Sequence, residues 1–176
     1  MSYGILVQEK VAALNIDSLN RPCVSASPIE NGMVMNLLTK DTTSGSEVWT
    51  ATNPVTGSLT NLWMAYEPEI VLTSSAYKGI DPDPRNFRTE IGDMFTAFKL
   101  QIGDLIMITP DGLSGSRTDG DFVVAANGDF QLTWSATAIA GTTLNYLYTG
   151  YISIGTGAIG GQRIVAYKFE VTNIDT

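Results

Sequence analysis

Tyr151-Ile-Ser-Ile-Gly155-Thr-Gly157-Ala-Ile-Gly160-Gly-Gln-Arg-Ile-Val-Ala-Tyr-Lys-Phe-Glu-Val171 is the stretch whose reading decides the fold. Gly155-x-Gly157-x-x-Gly160 has the spacing of a dinucleotide-binding turn. That turn works only when the glycines bring the backbone to a pyrophosphate at the N-terminus of a helix. The residues after Gly160 are not helical in pattern. Val165, Tyr167, Phe169 and Val171 fall on one side of an extended chain, and Ala166, Lys168, Glu170 and Thr172 on the other. Period two predicts a half-buried strand. The glycines are then the connection of a β-hairpin between Ile152–Ile154 and Arg163–Val171, and no cofactor is expected.

The same alternation recurs upstream. Asn127-Gly128 lies between two apolar alternations, the strongest short-range hairpin signal. A two-residue loop there pairs Val123 with Leu132 and Ala125 with Phe130, which with Trp134 make one apolar face. Met33–Leu38, Val48–Thr52, Leu62–Tyr66 and Ile70–Leu72 are further strand candidates, separated by turn clusters. Strands at this spacing predict a sandwich or barrel. Gly-Asp before an apolar residue occurs at Gly92, Gly103, Gly120 and Gly128, each read as a turn leading into a strand.

One segment competes for helix. Asp83-Pro84 suits the first positions of a helix, and Phe87, Ile91, Met94, Phe95 and Phe98 come after it at helical spacing. Gly92 interrupts the pattern, so the expectation is a short helix or 3₁₀ turn near 84–91 and then extended chain. Residues 1–30 are the least regular part, broken by Asn20-Arg21-Pro22 and Ser25-Ala26-Ser27-Pro28. The expected architecture is all-β: a single antiparallel β-barrel or β-sandwich domain over 31–176, preceded by an irregular N-terminal segment or arm over 1–30.

Composition limits the chemistry. A chain of 176 residues with 44% hydrophobic and 9% aromatic content can bury an ordinary core. Acidic residues number 18 against 10 basic, a net charge of −8. Such a chain repels phosphate backbones and anionic lipid, so neither nucleic acid nor membrane is an expected partner. Histidine is absent, which removes the commonest general base and zinc ligand. The one cysteine, Cys23, has no partner for an internal disulfide and reads as a small buried apolar residue. The N-terminal residues lack a signal-peptide pattern, so cytoplasmic synthesis is expected.

Two acid-rich stretches read as turns rather than sites. Asp81 and Asp83 each precede proline. Pro110-Asp111-Gly112-Leu-Ser-Gly115-Ser-Arg-Thr-Asp119-Gly120-Asp121 gathers three carboxylates without the spacing of an EF-hand. No catalytic residue and no metal ligand is nominated. Tyr146, Tyr148 and Tyr151 are the remaining constellation. They read either as sheet packing or as a stacking surface for a sugar or protein.

The succession Glu47-Val-Trp-Thr-Ala, Leu62-Trp-Met-Ala-Tyr, Tyr77-Lys-Gly-Ile-Asp-Pro-Asp-Pro-Arg-Asn-Phe, Phe98-Lys-Leu-Gln-Ile-Gly-Asp and Tyr151-Ile-Ser-Ile-Gly…Gln162-Arg-Ile-Val-Ala-Tyr-Lys-Phe resembles small auxiliary head proteins of tailed bacteriophages. These decoration or cement proteins sit on the outside of a capsid. The resemblance covers most of 45–171 and implies a structural virion protein, not an enzyme, that binds the major capsid protein and allows contacts between its own copies. Its place would be the capsid exterior. The alternative is a carbohydrate- or receptor-binding β-module of a phage fibre. Ile5, Leu6 and Val7 of the N-terminal segment, Tyr146, Tyr148 and Tyr151, and Gly157 and Gly160 at the hairpin tip are the expected contact residues.

Overall fold

Two strand systems share one wall. The computed structural model describes residues 2–55, 61–68, 71–73, 79–81, 83–138, 144–154 and 163–172. In chain order the described strands begin with β1 (Leu6–Lys10), β2 (Asn20–Ser25), β3 (Val34–Lys40), β4 (Trp49–Thr52), β5 (Leu62–Tyr66), β6 (Val71–Thr73) and β7 (Gly79–Asp81). They continue with β8 (Phe95–Phe98), β9 (Leu105–Ile108), β10 (Leu113–Ser114), β11 (Phe122–Ala125), β12 (Leu132–Ser135), β13 (Asn145–Ile154) and β14 (Ile164–Thr172). The order β2-β4-β3-β5-β8 closes on itself as a barrel. The order β1-β9-β14-β13-β11-β12-β10 is an open sheet, and β6 and β7 pair with each other. The all-β expectation holds. Pairing is not wholly antiparallel, because β2–β4 and β10–β12 run parallel.

The barrel closes because its inward positions fill a narrow interior. Met35, Trp63 and Phe95 share it with Cys23, Ala51, Ala65 and Ala97, large residues against small ones. The residues between them face outward, yet Val34, Leu62, Met64 and Phe98 are also buried. They pack in one cluster with Leu6, Ile106, Ile108, Val123, Leu132, Tyr146, Phe169 and Val171 of the open sheet. The wall β3-β5-β8 therefore has apolar neighbours on both faces. That is why Leu62-Trp63-Met64-Ala65 is a continuous apolar run rather than an alternation.

The β11–β12 hairpin forms with a register two residues from the expected one. Val123 pairs with Trp134 and Ala125 with Leu132. A shift of two leaves Val123, Ala125, Leu132 and Trp134 on one buried face. Phe130 is the residue that leaves the ladder. Its side chain joins the barrel-interior cluster, its carbonyl accepts from Val34 N–H at 2.8 Å, and Gly128 N–H donates to Pro54 O at 2.8 Å. Docking on the barrel lengthens the loop. Gly92, Gly103 and Gly128 take positive φ (82°, 90° and 79°). Gly120 is extended instead, and its backbone lies so close to Ser135 that a Cβ has no room.

Residues 1–30 are more regular than expected. Leu6–Lys10 pairs with β9, with a bulge at Glu9 between Gln8 and Lys10. Asn20–Ser25 enters the barrel between β8 and β4. Pro22 fits there because β4 pairs only from Cys23 onward, so only β8 flanks the strand at the proline. The helix competitor resolves as a 3₁₀ turn, Pro84–Asn86, capped by Asp83. Ile91 and Met94 are exposed, while Phe95 and Phe98 belong to β8. Helical spacing there is a coincidence of a turn leading into a strand.

The shared wall makes a testable demand. Phe169→Ala removes a ring buried between barrel and sheet and should lower the unfolding free energy by about 3–5 kcal/mol. Ile91→Ala, at an exposed turn, should stay within about 0.5 kcal/mol. Urea denaturation of the two variants decides it, and a cost below about 1 kcal/mol for Phe169→Ala would show that the two layers are not packed as one.

Candidate functional site

β13 and β14 pair along their whole length, from Asn145 opposite Thr172 to Ile154 opposite Ile164. Their supports are shorter. β11 pairs only with Tyr146 and Leu147, and β9 only with Tyr167 to Glu170. Beyond those points Thr149–Ile154 and Ile164–Ala166 pair with no other described strand. The two strands leave the sheet as a ribbon, whose connection lies outside the described residues. Gly157 and Gly160 fall there.

A bulge sets the ribbon's faces. The register shifts between Tyr148 and Gly150, so Thr149 is the extra residue, and Gly150 takes φ 152°. In a regular strand Tyr151 would point away from Tyr146 and Tyr148. After the bulge it stands opposite Tyr167, as Tyr148 stands opposite Phe169 and Tyr146 opposite Val171. All three tyrosines thus lie on one face, with very different exposure. Tyr146 is 1% exposed and belongs to the core. Tyr148 is half-buried in a ring cluster with Trp134, Tyr167 and Phe169, at centroid distances of 5.9, 5.8 and 6.2 Å. Arg117 covers it at 4.1 Å, held by Asp121 at 2.9 Å and by Gly120 O. Tyr151 is 66% exposed. A three-tyrosine stacking surface does not form, because Tyr146 is sealed in the core and Arg117 occupies the face of Tyr148.

The ribbon exposes apolar side chains on both faces, alongside Thr149 and Ser153. Val165 (37% exposed) shares the side of Tyr151, and Ile152 (42%) lies on the opposite one with Ile154 and Ile164. From Thr149 to Tyr167 the sequence carries one charge, Arg163. Aromatic and aliphatic side chains without charges are the composition of an interface centre. Edges that no other described strand pairs add backbone groups that a partner chain can satisfy. Ile152 and Val165 lie outside the set of contact residues expected from sequence. They are exposed because β11 and β9 end before them, and Gly150 inside an otherwise β-favouring run signals only the bulge.

No family model, curated protein or solved structure matches this chain. Its site has to be judged on its own chemistry. Cys23 is fully buried, and burial pushes its thiol up to about 12, far from a reactive thiolate. The carboxylates of the glycine-rich loop are engaged by groups of the chain itself. Asp119 accepts from Ser116 N–H at 2.7 Å in a capping box, Asp121 pairs with Arg117, and Asp111 accepts from Ser2 Oγ at 2.8 Å. Among the described residues no cluster of three or more potential ligands could hold a metal ion.

The N-terminal contact residues are used inside the chain itself. Ile5 and Leu6 are buried in its own core, and Val7 is half-buried beside Met107. Ile5 and Leu6 therefore do not reach outward, because this segment is held against β9. The residues before them are clamped. Gly4 N–H donates to Glu30 Oε2 at 2.9 Å, Tyr3 N–H to Arg85 O at 2.8 Å, and Arg88 lies 5.3 Å from the Tyr3 ring. Gly4 is required there, since a Cβ would stand 2.5 Å from Gly112 Cα.

Burial raises the Glu30 pKa, with nearby Asp111 adding to the rise; the Gly4 N–H and the Arg88 charge oppose it. A raised folded pKa means the native state holds this proton more tightly than the unfolded chain. The contribution to stability is therefore present below the unfolded value and lost as pH rises through the folded one. Glu30→Gln keeps an oxygen for Gly4 and removes the buried charge. Its stability relative to the parent should rise between about pH 4 and pH 7, measured by urea denaturation across that range. A difference that stays flat or falls with pH would contradict this role for Glu30.

Proposed function

We propose that this chain is a structural protein that docks on a larger protein assembly through the β13–β14 ribbon, most specifically a capsid decoration protein on the outer face of a phage head. The single observation behind this reading is the ribbon itself: a two-stranded projection with no charge in its strands and with Tyr151, Ile152 and Val165 exposed. Holding such a surface in water is unfavourable, and a protein partner relieves the cost. The resemblance to auxiliary head proteins supplies the identity of that partner, the major capsid protein. The net charge of −8 suits an outer surface better than the DNA-facing one. A decoration site would bury on the order of 1,600 Å² in total. Weak individual contacts become firm when one molecule engages several shell subunits together.

Purified protein mixed with undecorated capsids should bind saturably and in fixed stoichiometry, measured by co-sedimentation. Tyr151→Ser combined with Ile152→Ser should weaken that binding more than about tenfold, the loss expected of central contact residues. Because both side chains are exposed, thermal stability should be nearly unchanged. Absence of saturable binding by the parent protein would end the decoration reading. Glycan binding that is lost on Tyr151→Ser would replace it with the carbohydrate-module reading.

A further inference from the structure

We propose that one mouth of the barrel, around Trp63, binds a carboxylate presented by an acidic side chain of a partner protein. The strand directions bring five ends to this mouth. β2, β4 and β5 begin there, and β3 and β8 finish there, since each antiparallel neighbour reverses direction and β4 runs parallel to β2. Trp63 points into the barrel interior and is 8% exposed, yet its indole Nε1–H has no hydrogen-bond partner among the described residues. A buried donor without an acceptor is destabilising unless a ligand supplies one.

Two cations lie over that same indole. Arg21 Cζ is 5.6 Å and Lys99 Nζ 5.9 Å from the ring centroid, both within cation–π range. Their hydrogen bonds go to neutral oxygens. Arg21 donates to Asn20 O and Lys99 to Asn61 Oδ1, each at 2.9 Å. Among the described residues neither forms an ion pair with a carboxylate. Lys40 adds a third positive charge beside Trp49 of the same interior cluster, and its exposed pairing with Glu47 at 3.7 Å is weak. In a chain with 18 acids and 10 bases, two cations placed together on one ring without a counter-charge are out of keeping with the rest of the surface.

One oxyanion meets all three demands. An oxygen within the mouth accepts the Trp63 N–H and neutralises Arg21 and Lys99, and a guanidinium fits the two oxygens of a carboxylate. The net charge of −8 opposes every polyanion at a distance, an acidic peptide included, so the case for a carboxylate rests on the local positive charge of Arg21 and Lys99 and on the two-oxygen fit to the guanidinium. Both cations are half-exposed, so the ligand reaches them from solvent.

The test is an NMR titration of the indole N–H signals of ¹⁵N-labelled protein with a hexaglutamate peptide. Inorganic phosphate and sodium chloride at matched ionic strength form the other arms. The chain has three tryptophans, so Trp63→Phe assigns the signal. The Trp63 N–H should move downfield saturably with the peptide and stay in place with chloride. Arg21→Gln and Lys99→Gln should each weaken binding by about tenfold, the loss expected for one charge-assisted bond. Unchanged Trp49 and Trp134 signals would show that these variants remain folded. A Trp63 signal unmoved at millimolar peptide would overturn the proposal. So would an equal response to chloride, tighter binding of phosphate than of peptide, or full affinity in the Arg21→Gln/Lys99→Gln double variant.

Discussion

The whole structure depends on one wall being apolar on both sides. β3, β5 and β8 close the barrel with their inward residues and hold the open sheet with their outward ones. Val34, Leu62, Met64 and Phe98 have no solvent-facing role, because Ile106, Ile108, Phe169 and Val171 cover them. A five-stranded barrel alone has a small core, and a seven-stranded open sheet alone leaves one apolar face bare. Joining them removes both deficits. The Phe130 loop strengthens the joint from the other direction, since it grows from the sheet and fills the barrel interior.

That joint also explains why the ribbon can project. β14 is anchored at Tyr167–Glu170 by β9, and β13 at Tyr146–Leu147 by β11, with the Trp134, Tyr148, Tyr167 and Phe169 rings packed against one another at the point of departure. A two-stranded ribbon is marginal by itself in water. Here its base is part of a buried sheet, and Arg117 closes the ring cluster beneath it. The bulge at Thr149 then turns Tyr151 onto the tyrosine face after the core has ended.

The fold is legible in the sequence wherever a local pattern matches its environment. Leu62–Tyr66 shows its final boundaries, the period-two pattern of β14 excludes a phosphate-binding helix, and Asp83-Pro84 marks its 3₁₀ turn. The hairpin at Asn127-Gly128 has the expected face and a different register. A two-residue loop is the local preference, and only the docking of Phe130 on the barrel overrides it. The regularity of residues 1–30 is hidden for a similar reason. Leu6–Lys10 and Asn20–Ser25 become strands through partners in β9 and β8, far beyond any local window of sequence. At the candidate site, exposure is the quantity the sequence does not carry. Tyr146 and Tyr151 look equivalent as letters, and the ends of β9 and β11 decide which is buried.

An acidic chain constrains how it can meet another protein. At a net charge of −8, approach to most surfaces of similar sign is opposed, so contact is easiest where charge is absent or reversed. The ribbon has the first property, with Arg163 alone between Thr149 and Tyr167. The barrel mouth has the second, with Arg21 and Lys99 on one indole. Their physical signatures differ. Association through the ribbon would rest on apolar area, which salt does not screen and kosmotropic salts strengthen. Association through the mouth would rest on exposed charges, screened beyond about 8 Å at physiological ionic strength. Ionic strength therefore separates the two modes of contact, and a partner that used both would lose only the electrostatic part as salt is raised.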